Sequence, residues 1–234
     1  MPSALAFIGA GFVAVGTTSF GVAASRGHAD GSRSSKHPNI ELAAALASLD
    51  CFHSFDIEDG YADDPEAVAD YVAQLDVEGV NIEDSTYEKL ISPEAHAAKV
   101  TSVKRRCPDV FVNARVDTYW LGQNADLTTT LHRASRYVDA GADGIFVPGL
   151  TDEGDIRELC AQIDCPVNVL ASPGVSVSGL AELGVRRVST GSLPYRAAMF
   201  AATQAAVAVR DSQPIPESLP YSQMQTSLHA YHRR

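Results

Sequence analysis

The sequence predicts an α/β protein built as a (β/α)8 barrel of the TIM type. Short apolar, β-rich runs alternate with amphipathic stretches along the 234-residue chain, which is typical of a parallel sheet covered by helices on both faces. Nearly every apolar run ends in polar residues, as expected where the carboxyl ends of barrel strands form a site. A doubly wound sheet is the alternative, and the regularity of the repeat favours the barrel.

Seven segments have the apolar character of buried strands. They are residues 12–19, 53–59, 79–84, 110–117, 144–149, 167–172 and 187–191. A TIM-type barrel has eight strands. Because the chain opens with SALAFIGAGF, which is typical of the end of a helix running into the second strand, we expect the first strand and most of the first helix to be missing at the N-terminus.

Helical patterns lie between these strands, at about residues 41–49, 65–75, 93–106, 126–140, 152–163, 176–183 and 194–210. Two of them have clear start signals. Asp64-Pro65-Glu66 and Ser92-Pro93-Glu94 each place a capping residue before a proline at the first helical position. The polar segment 222–234 is interpreted as a surface helix or a frayed tail.

Composition and charge exclude several classes of protein. The chain is 45% hydrophobic and 20% charged, and no linker divides it, so residues 1–234 are predicted to form one globular domain. Its formal net charge is −11 without a basic run, which disfavours nucleic-acid binding. The apolar stretch 4–15 is too short for a membrane helix and is interrupted by Gly9 and Gly11. We therefore expect a cytoplasmic protein with no membrane partner.

Acidic residues cluster at the ends of two neighbouring predicted strands. Asp56 and Glu58 stand two apart and are predicted to face one side, whereas Asp59 points the other way. Glu83 and Asp84 end the next strand and should reach the same rim. Converging carboxylates without basic partners are typical of a site for a hard divalent cation such as Mg²⁺. Helix capping is the alternative for some of these acids, Asp59 included.

A cation and a polar loop accompany these acids. Arg115 lies in an apolar strand, where an unpaired charge is costly, so it should contact either a structural carboxylate or a substrate anion. Asp117 faces the same side two residues later. The loop after the first visible strand offers the hydroxyls of Thr18 and Ser19 together with Asp30. Backbone donors in such loops bind carboxylate or phosphate, although a plain connector has the same composition.

Five motifs taken together resemble the isocitrate lyase/phosphoenolpyruvate mutase superfamily, in particular its phosphonomutase-like branch. They are TTSFGVAAS, FDIEDGY, GVNIEDS, NARVDTY and GADGIFVPG, and the likeness covers about residues 10–200. The resemblance implies a barrel whose C-terminal helices, here from about residue 194 onward, are exchanged between the subunits of a homodimer or homotetramer. It also implies Mg²⁺, with Mn²⁺ as the alternative ion, at the 2-oxo-carboxylate end of the substrate.

The resemblance assigns the metal site. Asp56 matches the family's direct Mg²⁺ ligand. Glu58 and Glu83 match acids that hold the metal through water. These assignments agree with the cation site predicted from the cluster of carboxylates.

The resemblance also assigns residues to the substrate. Thr18, Ser19 and Phe20 fall where the family contacts the substrate carboxylate through backbone amides. Arg115 matches an arginine that contacts the substrate. Asp30 aligns with an acid on the mobile part of the second loop, which makes it a candidate base or nucleophile.

The loop STYEKLISP departs from the family's pattern. In the carbon–carbon lyases this loop runs Lys-(Lys/Arg)-Cys-Gly-His, and the cysteine donates a proton. Lys89 keeps the first position as a catalytic candidate on a closing loop, whereas Ile91 stands at the position of the cysteine. Because an aliphatic side chain cannot donate a proton, isocitrate lyase and methylisocitrate lyase activities are disfavoured.

The sequence thus leads to two hypotheses. The first is a Mg²⁺-dependent lyase or mutase-like enzyme that cleaves a C–C or C–P bond in a small 2-oxo or 2-hydroxy carboxylate through an enolate-like intermediate. The alternative is a catalytically silent or metabolite-binding barrel, made inactive by N-terminal truncation. An open barrel edge would support the alternative, since it distorts the pocket unless something covers it.

Overall fold

The computed structural model describes residues 1–233 and contains nine strands. In chain order they are β1 (Ala14–Gly16), β2 (Phe52–Asp56), β3 (Gly79–Glu83), β4 (Ser85–Thr86), β5 (Lys89–Leu90), β6 (Phe111–Arg115), β7 (Gly144–Phe146), β8 (Val167–Leu170) and β9 (Arg187–Ser189). Seven of them form one sheet in the order β1-β2-β3-β6-β7-β8-β9, and every neighbouring pair is parallel. The remaining two, β4 and β5, pair as an antiparallel hairpin.

Helices connect and cover these strands. They are α1 (Pro2–Gly9), α2 (Ser19–Ala24), α3 (Lys36–Leu46), α4 (Pro65–Leu75), α5 (Pro93–Arg106), α6 (Thr118–Leu121), α7 (Leu127–Asp139), α8 (Glu153–Gln162), α9 (Val177–Glu182), α10 (Leu193–Arg210) and α11 (Tyr221–His232). Both predicted caps are present, because Asp64 accepts the Glu66 N–H at 3.2 Å and Ser92 accepts the Ala95 N–H at 3.2 Å.

The sheet curls towards a barrel but stays open on one side. Within residues 1–233, β1 and β9 each pair along one edge only. Arg187 on β9 nevertheless reaches across the interior, where its Nη1 lies 2.9 Å from Asn81 Oδ1 and its Nη2 lies 3.4 Å from Ser54 Oγ. The prediction of a TIM-type barrel that lacks one strand is therefore confirmed.

Apolar strand residues explain why the sheet forms. Val80 and Ile82 on β3 and Val112 and Ala114 on β6 are fully buried, since a parallel sheet is covered on both faces. Several helices then pack around this core. No helix in the described part of the chain is long and apolar enough to cross a membrane.

The structure differs from the predicted elements near the N-terminus and in the short connections. The strand predicted at 12–19 is limited to Ala14–Gly16, because helix α2 already begins at Ser19. The helix predicted at 41–49 begins earlier, at Lys36. Neither α6 nor the β4–β5 hairpin was predicted, since elements of two to four residues are too short to show a hydrophobic period. Residues 222–232 of the segment 222–234 belong to α11, as the surface-helix interpretation predicted, and residue 234 lies outside the described residues.

Candidate active site

A small polar cavity opens at the carboxyl ends of β2, β3 and β6. Its volume is about 170 Å³. Five of its thirteen lining residues are acidic, and the lining residues are Asp30, Gly31, Arg33, Glu58, Asp59, Glu83, Ser85, Thr86, Tyr87, Glu88, Arg115, Trp120 and Leu121. Four predicted site residues thus come together, namely Asp30, Glu58, Glu83 and Arg115. We call this space the acidic cavity.

Asp56 ends β2 and is only 8% exposed. Its Oδ2 accepts hydrogen bonds from both the backbone N–H and the hydroxyl of Ser19, each at 3.2 Å, and its Oδ1 accepts the Glu58 N–H at 3.3 Å. Burial raises the pKa of Asp56, while Arg115 and the Ser19 N–H oppose that rise. Asp56 and Ser19 therefore form a buried pair, and Asp56 is not among the residues that line the acidic cavity.

Glu58 turns the chain out of the strand. Its φ of 50° lies in the left-handed region, so the alternation of an extended strand does not continue past β2. The prediction that Asp59 points away from the site is consequently wrong, because Asp59 lines the acidic cavity beside Glu58. The Glu58 carboxylate is held by the Arg33 N–H at 2.8 Å and by the Ser35 hydroxyl. Burial raises the pKa of Glu58.

Glu83 and Arg115 are direct neighbours in the register of β3 and β6. Arg115 Nη1 donates to Glu83 Oε1 at 2.7 Å, and Arg115 Nε donates to Asp117. The guanidinium also lies 5.5 Å from the ring centroid of Trp120. Arg115 thus has structural carboxylate partners and still lines the cavity. Burial raises the pKa of Glu83 well above its ordinary range, despite the opposing charge of Arg115.

Asp84 does not reach the rim, which corrects the prediction that it lies beside Glu83 there. Its carboxylate is fully buried and accepts hydrogen bonds from Arg133 Nε at 2.6 Å, Tyr137 Oη at 2.7 Å and the Asp117 N–H at 2.8 Å. This network fixes the connection that follows β6 and ties it to helix α7. Asp84 therefore supports the wall behind the acidic cavity.

The donor set fits a mostly hydrated Mg²⁺ ion. In residues 1–233, no group of three or more acidic, histidine or cysteine side chains is arranged to hold an ion directly. Mg²⁺, however, usually keeps several waters and uses only one or two carboxylates. Asp30 adds to the local negative charge, since its field raises the pKa of Asp56 and of Glu58. An excess of partly buried carboxylates is the environment that a divalent cation stabilises.

The structure does not bring every predicted residue to the cavity. Lys89 is exposed on β5 and is not part of the lining. Thr18 precedes α2 and lines a different cavity. The ring of Phe20 packs edge-on against Tyr195, with 6.0 Å between ring centroids. Their predicted contacts with substrate remain predictions.

Sequence reasoning missed three side chains that shape the cavity. They are Arg33, Tyr87 and Trp120. Arg33 and Tyr87 lie in irregular segments with left-handed φ angles of 58° and 48°, which no periodic pattern marks. Trp120 offered one signal, because it is the single tryptophan of the chain and follows the Arg115 strand closely.

A second, larger cavity runs along the free edge of β1. Its volume is about 850 Å³, and α1, α2, α3 and the start of α10 contribute to its mainly apolar wall. Phe7, Val15, Val22 and Leu42 are among its lining residues. We call it the edge groove.

Comparisons with known proteins agree with this geometry. The sequence model for phosphoenolpyruvate phosphomutase matches residues 1–210 of the chain. The chain belongs to the phosphoenolpyruvate phosphomutase family. The resemblance to the isocitrate lyase/phosphoenolpyruvate mutase superfamily is thereby confirmed, and this superfamily consists of Mg²⁺-dependent lyases and mutases that act on small carboxylates.

Relatives in the phosphoenolpyruvate phosphomutase family cover almost the whole chain. Protein Rv1998c of Mycobacterium tuberculosis H37Rv is 58% identical over 234 residues, which are 100% of this chain and 91% of the relative. A structure from Burkholderia cenocepacia J2315, to which phosphonomutase activity is ascribed, has a TM-score of 0.81 at 35% identity and covers 88% of this chain and 89% of its own. A phosphonopyruvate hydrolase solved with oxalate and Mg²⁺ has the same fold, with a TM-score of 0.85 at 23% identity over 99% of this chain and 88% of its own.

Proposed function

We propose that the protein is a Mg²⁺-dependent enzyme that cleaves a C–C or C–P bond in a small 2-oxo or 2-hydroxy carboxylate. The observation that carries this proposal is the acidic cavity, in which carboxylates from two strand ends and a loop lie together with two arginines, Arg33 and Arg115. Its volume of about 170 Å³ suits a small substrate. Its position at the carboxyl ends of parallel strands is where barrel enzymes build their sites.

Asp56, Glu58 and Glu83 would hold the metal ion, Asp56 directly and the two glutamates through water. The direct role requires the Asp56 carboxylate to turn from Ser19 towards the acidic cavity, which it does not line in this structure. When bound, the ion polarises the substrate's oxo group and stabilises the enolate-like oxygen that forms on cleavage. The burial that raises the pKa of all three acids supports this assignment, because their negative charge needs a compensating cation.

Arg115 would bind the substrate carboxylate. Its Nε and Nη1 are occupied by Asp117 and Glu83, and its Nη2 has no hydrogen-bond partner in the described residues. A guanidinium whose plane is fixed by two carboxylates is well prepared to orient a planar anion. The amides from Thr18 to Phe20 are the second proposed carboxylate contact, and this role requires the Ser19 N–H to leave Asp56.

Asp30 is the proposed base or nucleophile. It lies on an exposed loop at the cavity mouth. Its carboxylate is therefore in contact with solvent before substrate binds and can approach the substrate from the mouth. Lys89 lies on β5 of the β4–β5 hairpin, whose tip residues Tyr87 and Glu88 line the cavity. Its proposed role therefore requires the hairpin to close over bound substrate and exclude water.

The test is a direct assay of bond cleavage by ¹H and ³¹P NMR. The probes are phosphonopyruvate, 2,3-dimethylmalate and oxaloacetate, which are the substrates for which three structures of the same fold are named. We expect turnover of at least one probe above the enzyme-free rate with Mg²⁺, and none above that rate with EDTA. Equal product formation in both conditions, or none with any small 2-oxo or 2-hydroxy acid, would contradict the proposal.

The open sheet favours a second candidate, a non-catalytic protein that binds a metabolite. The edges of β1 and β9 are unpaired in residues 1–233, and an open edge allows the strand ends that form the site to move. Mg²⁺-dependent binding of oxalate without turnover of any probe would support this second candidate.

We further infer that α10 mediates a homodimer or homotetramer. Leu193, Met199, Phe200 and Val209 on this helix are all exposed, and several exposed large apolar side chains on one helix support a contact site there. A second copy of the chain, exchanging helices from residue 194 onward, is the proposed partner. Light scattering should report an oligomer for the wild type and a smaller species for Phe200→Glu, whereas a monomeric wild type would contradict this inference.

A further inference from the structure

We infer that Arg33 is a positioning residue that holds the loop of residues 25–35 closed over the acidic cavity and fixes Glu58 in place. This loop carries Asp30 and is called the Asp30 loop below. The inference rests on the proposed function for its catalytic meaning. Its mechanical part, that Arg33 holds the Asp30 loop closed, rests on the contacts of Arg33 in the structure.

The backbone of Arg33 is held in an unfavourable conformation. Its φ is 58°, in the left-handed region that residues other than glycine seldom adopt. Such a conformation persists only where surrounding contacts compensate for its cost. In this case it lets the Arg33 N–H and the Arg33 guanidinium contact two different acids.

The Arg33 guanidinium binds Asp59, which lines the acidic cavity. Its Nε lies 3.0 Å and 3.1 Å from the two carboxylate oxygens of Asp59, its Nη2 also donates to Asp59, and Nη2 lies 2.6 Å from Asp63. The Asp59 side chain is 3% exposed and that of Arg33 is 23% exposed. A forked, partly desolvated pair of this kind is stronger and more directional than a surface ion pair.

Asp59 connects Arg33 to the rest of the site. It also accepts a hydrogen bond from Thr86 Oγ1 on β4 at 2.6 Å, and Lys99 Nζ on α5 donates to its backbone carbonyl at 2.8 Å. The Arg33 guanidinium in addition lies 5.7 Å from the ring centroid of Tyr87 at the hairpin tip. Arg33 therefore joins the Asp30 loop to the segment that follows β2, to the hairpin and, through Asp59, to α5.

The backbone of the same turn fixes Glu58. The Arg33 N–H donates to Oε2 at 2.8 Å, and the Ser35 hydroxyl donates to Oε1. Both carboxylate oxygens are thus oriented by the Asp30 loop. If the loop opens, Glu58 loses both donors at the moment when Asp30 leaves the cavity mouth. The contacts of Arg33, called the Arg33 latch below, consequently control the position of Glu58, a proposed metal-site acid, together with that of Asp30, the proposed base.

Hydrogen–deuterium exchange of the ligand-free protein tests the mechanical part. The variants are Arg33→Ala, Arg33→Lys and Arg26→Ala, the last being a matched loss of an exposed arginine in the same loop, paired with Glu41. Arg33→Ala should accelerate exchange in residues 27–35 by about tenfold or more, because the loop opens locally. Arg33→Lys should fall between, since lysine lacks the forked donors, and Arg26→Ala should match the wild type. Exchange in Arg33→Ala equal to that in Arg26→Ala would overturn the inference.

Fluorescence of Trp120 tests the link to the site. Trp120 is the single tryptophan and lines the acidic cavity, so stopped-flow titration with oxalate at saturating Mg²⁺ reports binding there. Arg33→Ala should raise the oxalate dissociation rate about tenfold with little change in association. Unchanged dissociation would overturn the positioning role. If the wild type ignores oxalate while loop exchange responds as expected, the proposed function fails and the Arg33 latch stands.

Discussion

The edge groove is the larger of the two cavities and is mainly apolar, whereas the acidic cavity is smaller and is lined by charged residues. The groove has about five times the volume, with about 850 Å³ against about 170 Å³. A search for the largest apolar pocket would select the groove. Carboxylates and two arginines, however, converge in the smaller space. In this molecule convergent charge, and not volume, identifies the candidate active site.

The two regions also relate differently to stability. Two acids that line the acidic cavity, Glu58 and Glu83, have pKa values raised by burial, so their charge is unfavourable in the folded protein and a bound cation would relieve it. The edge groove contains ordinary apolar side chains beside an unpaired strand edge. Destabilising groups concentrated in one pocket are typical of a site maintained for function.

The largest expected effect is a loss of turnover when a residue of the proposed metal site is substituted, against no loss when a residue of the edge groove is substituted. Asp56→Ala should lower Mg²⁺-dependent turnover about 10³-fold, because the proposed direct metal ligand is lost. Leu42→Ala in the edge groove is the control and should leave turnover unchanged. Steady-state assays of the probe that is cleaved measure both. Comparable activity in Asp56→Ala and wild type would contradict the assignment of the active site to the acidic residues in preference to the edge groove.

The buried layer behind the acidic cavity should show the largest stability effect. Arg133→Ala leaves the fully buried Asp84 without its cation and should lower the free energy of unfolding by about 3 kcal/mol. Arg136→Ala, on the same helix, removes an exposed pair with Glu94 and should cost less than about 1 kcal/mol. Urea denaturation compares them. Equal losses would mean that the Asp84 network does not stabilise the wall.

His96 in the same layer should give the protein an acid-sensitive stability. Burial, with the nearby charges of Lys99 and Arg133, lowers the pKa of His96 to about 3. Below the ordinary histidine pKa of about 6.5 the unfolded chain takes up a proton that the folded protein refuses, so stability falls as pH decreases. The loss attributable to His96 should reach about 2 kcal/mol by about pH 5.

Denaturation at several pH values, with His96→Gln and the exposed His132→Gln as a matched pair, isolates this effect. The His96 variant should show a flatter dependence between about pH 6.5 and about pH 5. The His132 variant should keep the wild-type slope. A His96 variant with an unaltered slope would contradict a neutral buried imidazole at this position.

The smallest effect is expected in the edge groove. Leu42→Ala removes a partly exposed side chain, so it should lower the free energy of unfolding by about 1 kcal/mol or less, well below the cost of truncating a buried leucine. Urea denaturation measures this change as well. A loss as large as that of Arg133→Ala would show that the groove is a tightly packed part of the core.

The sequence predicted the sheet well because buried parallel strands have uninterrupted apolar residues, as in β3 and β6. It also predicted that Glu58, Glu83 and Arg115 converge, since the carboxyl ends of neighbouring parallel strands meet. It failed where the chain leaves regular geometry. The left-handed Glu58 brings Asp59 into the cavity, and Arg33 acts from a turn whose conformation depends on the tertiary contacts of Asp59. Periodicity carries no information about such turns.

The most direct test of the metal-dependent carboxylate site is a thermal-shift titration with oxalate, a mimic of the enolate. Wild-type protein is melted with oxalate and Mg²⁺, with each alone, and with oxalate and EDTA. We predict a marked rise in melting temperature only when both are present, equivalent to about 2.7 kcal/mol at a concentration 100 times the dissociation constant. No shift from a folded sample, or the same shift in EDTA, would contradict the site.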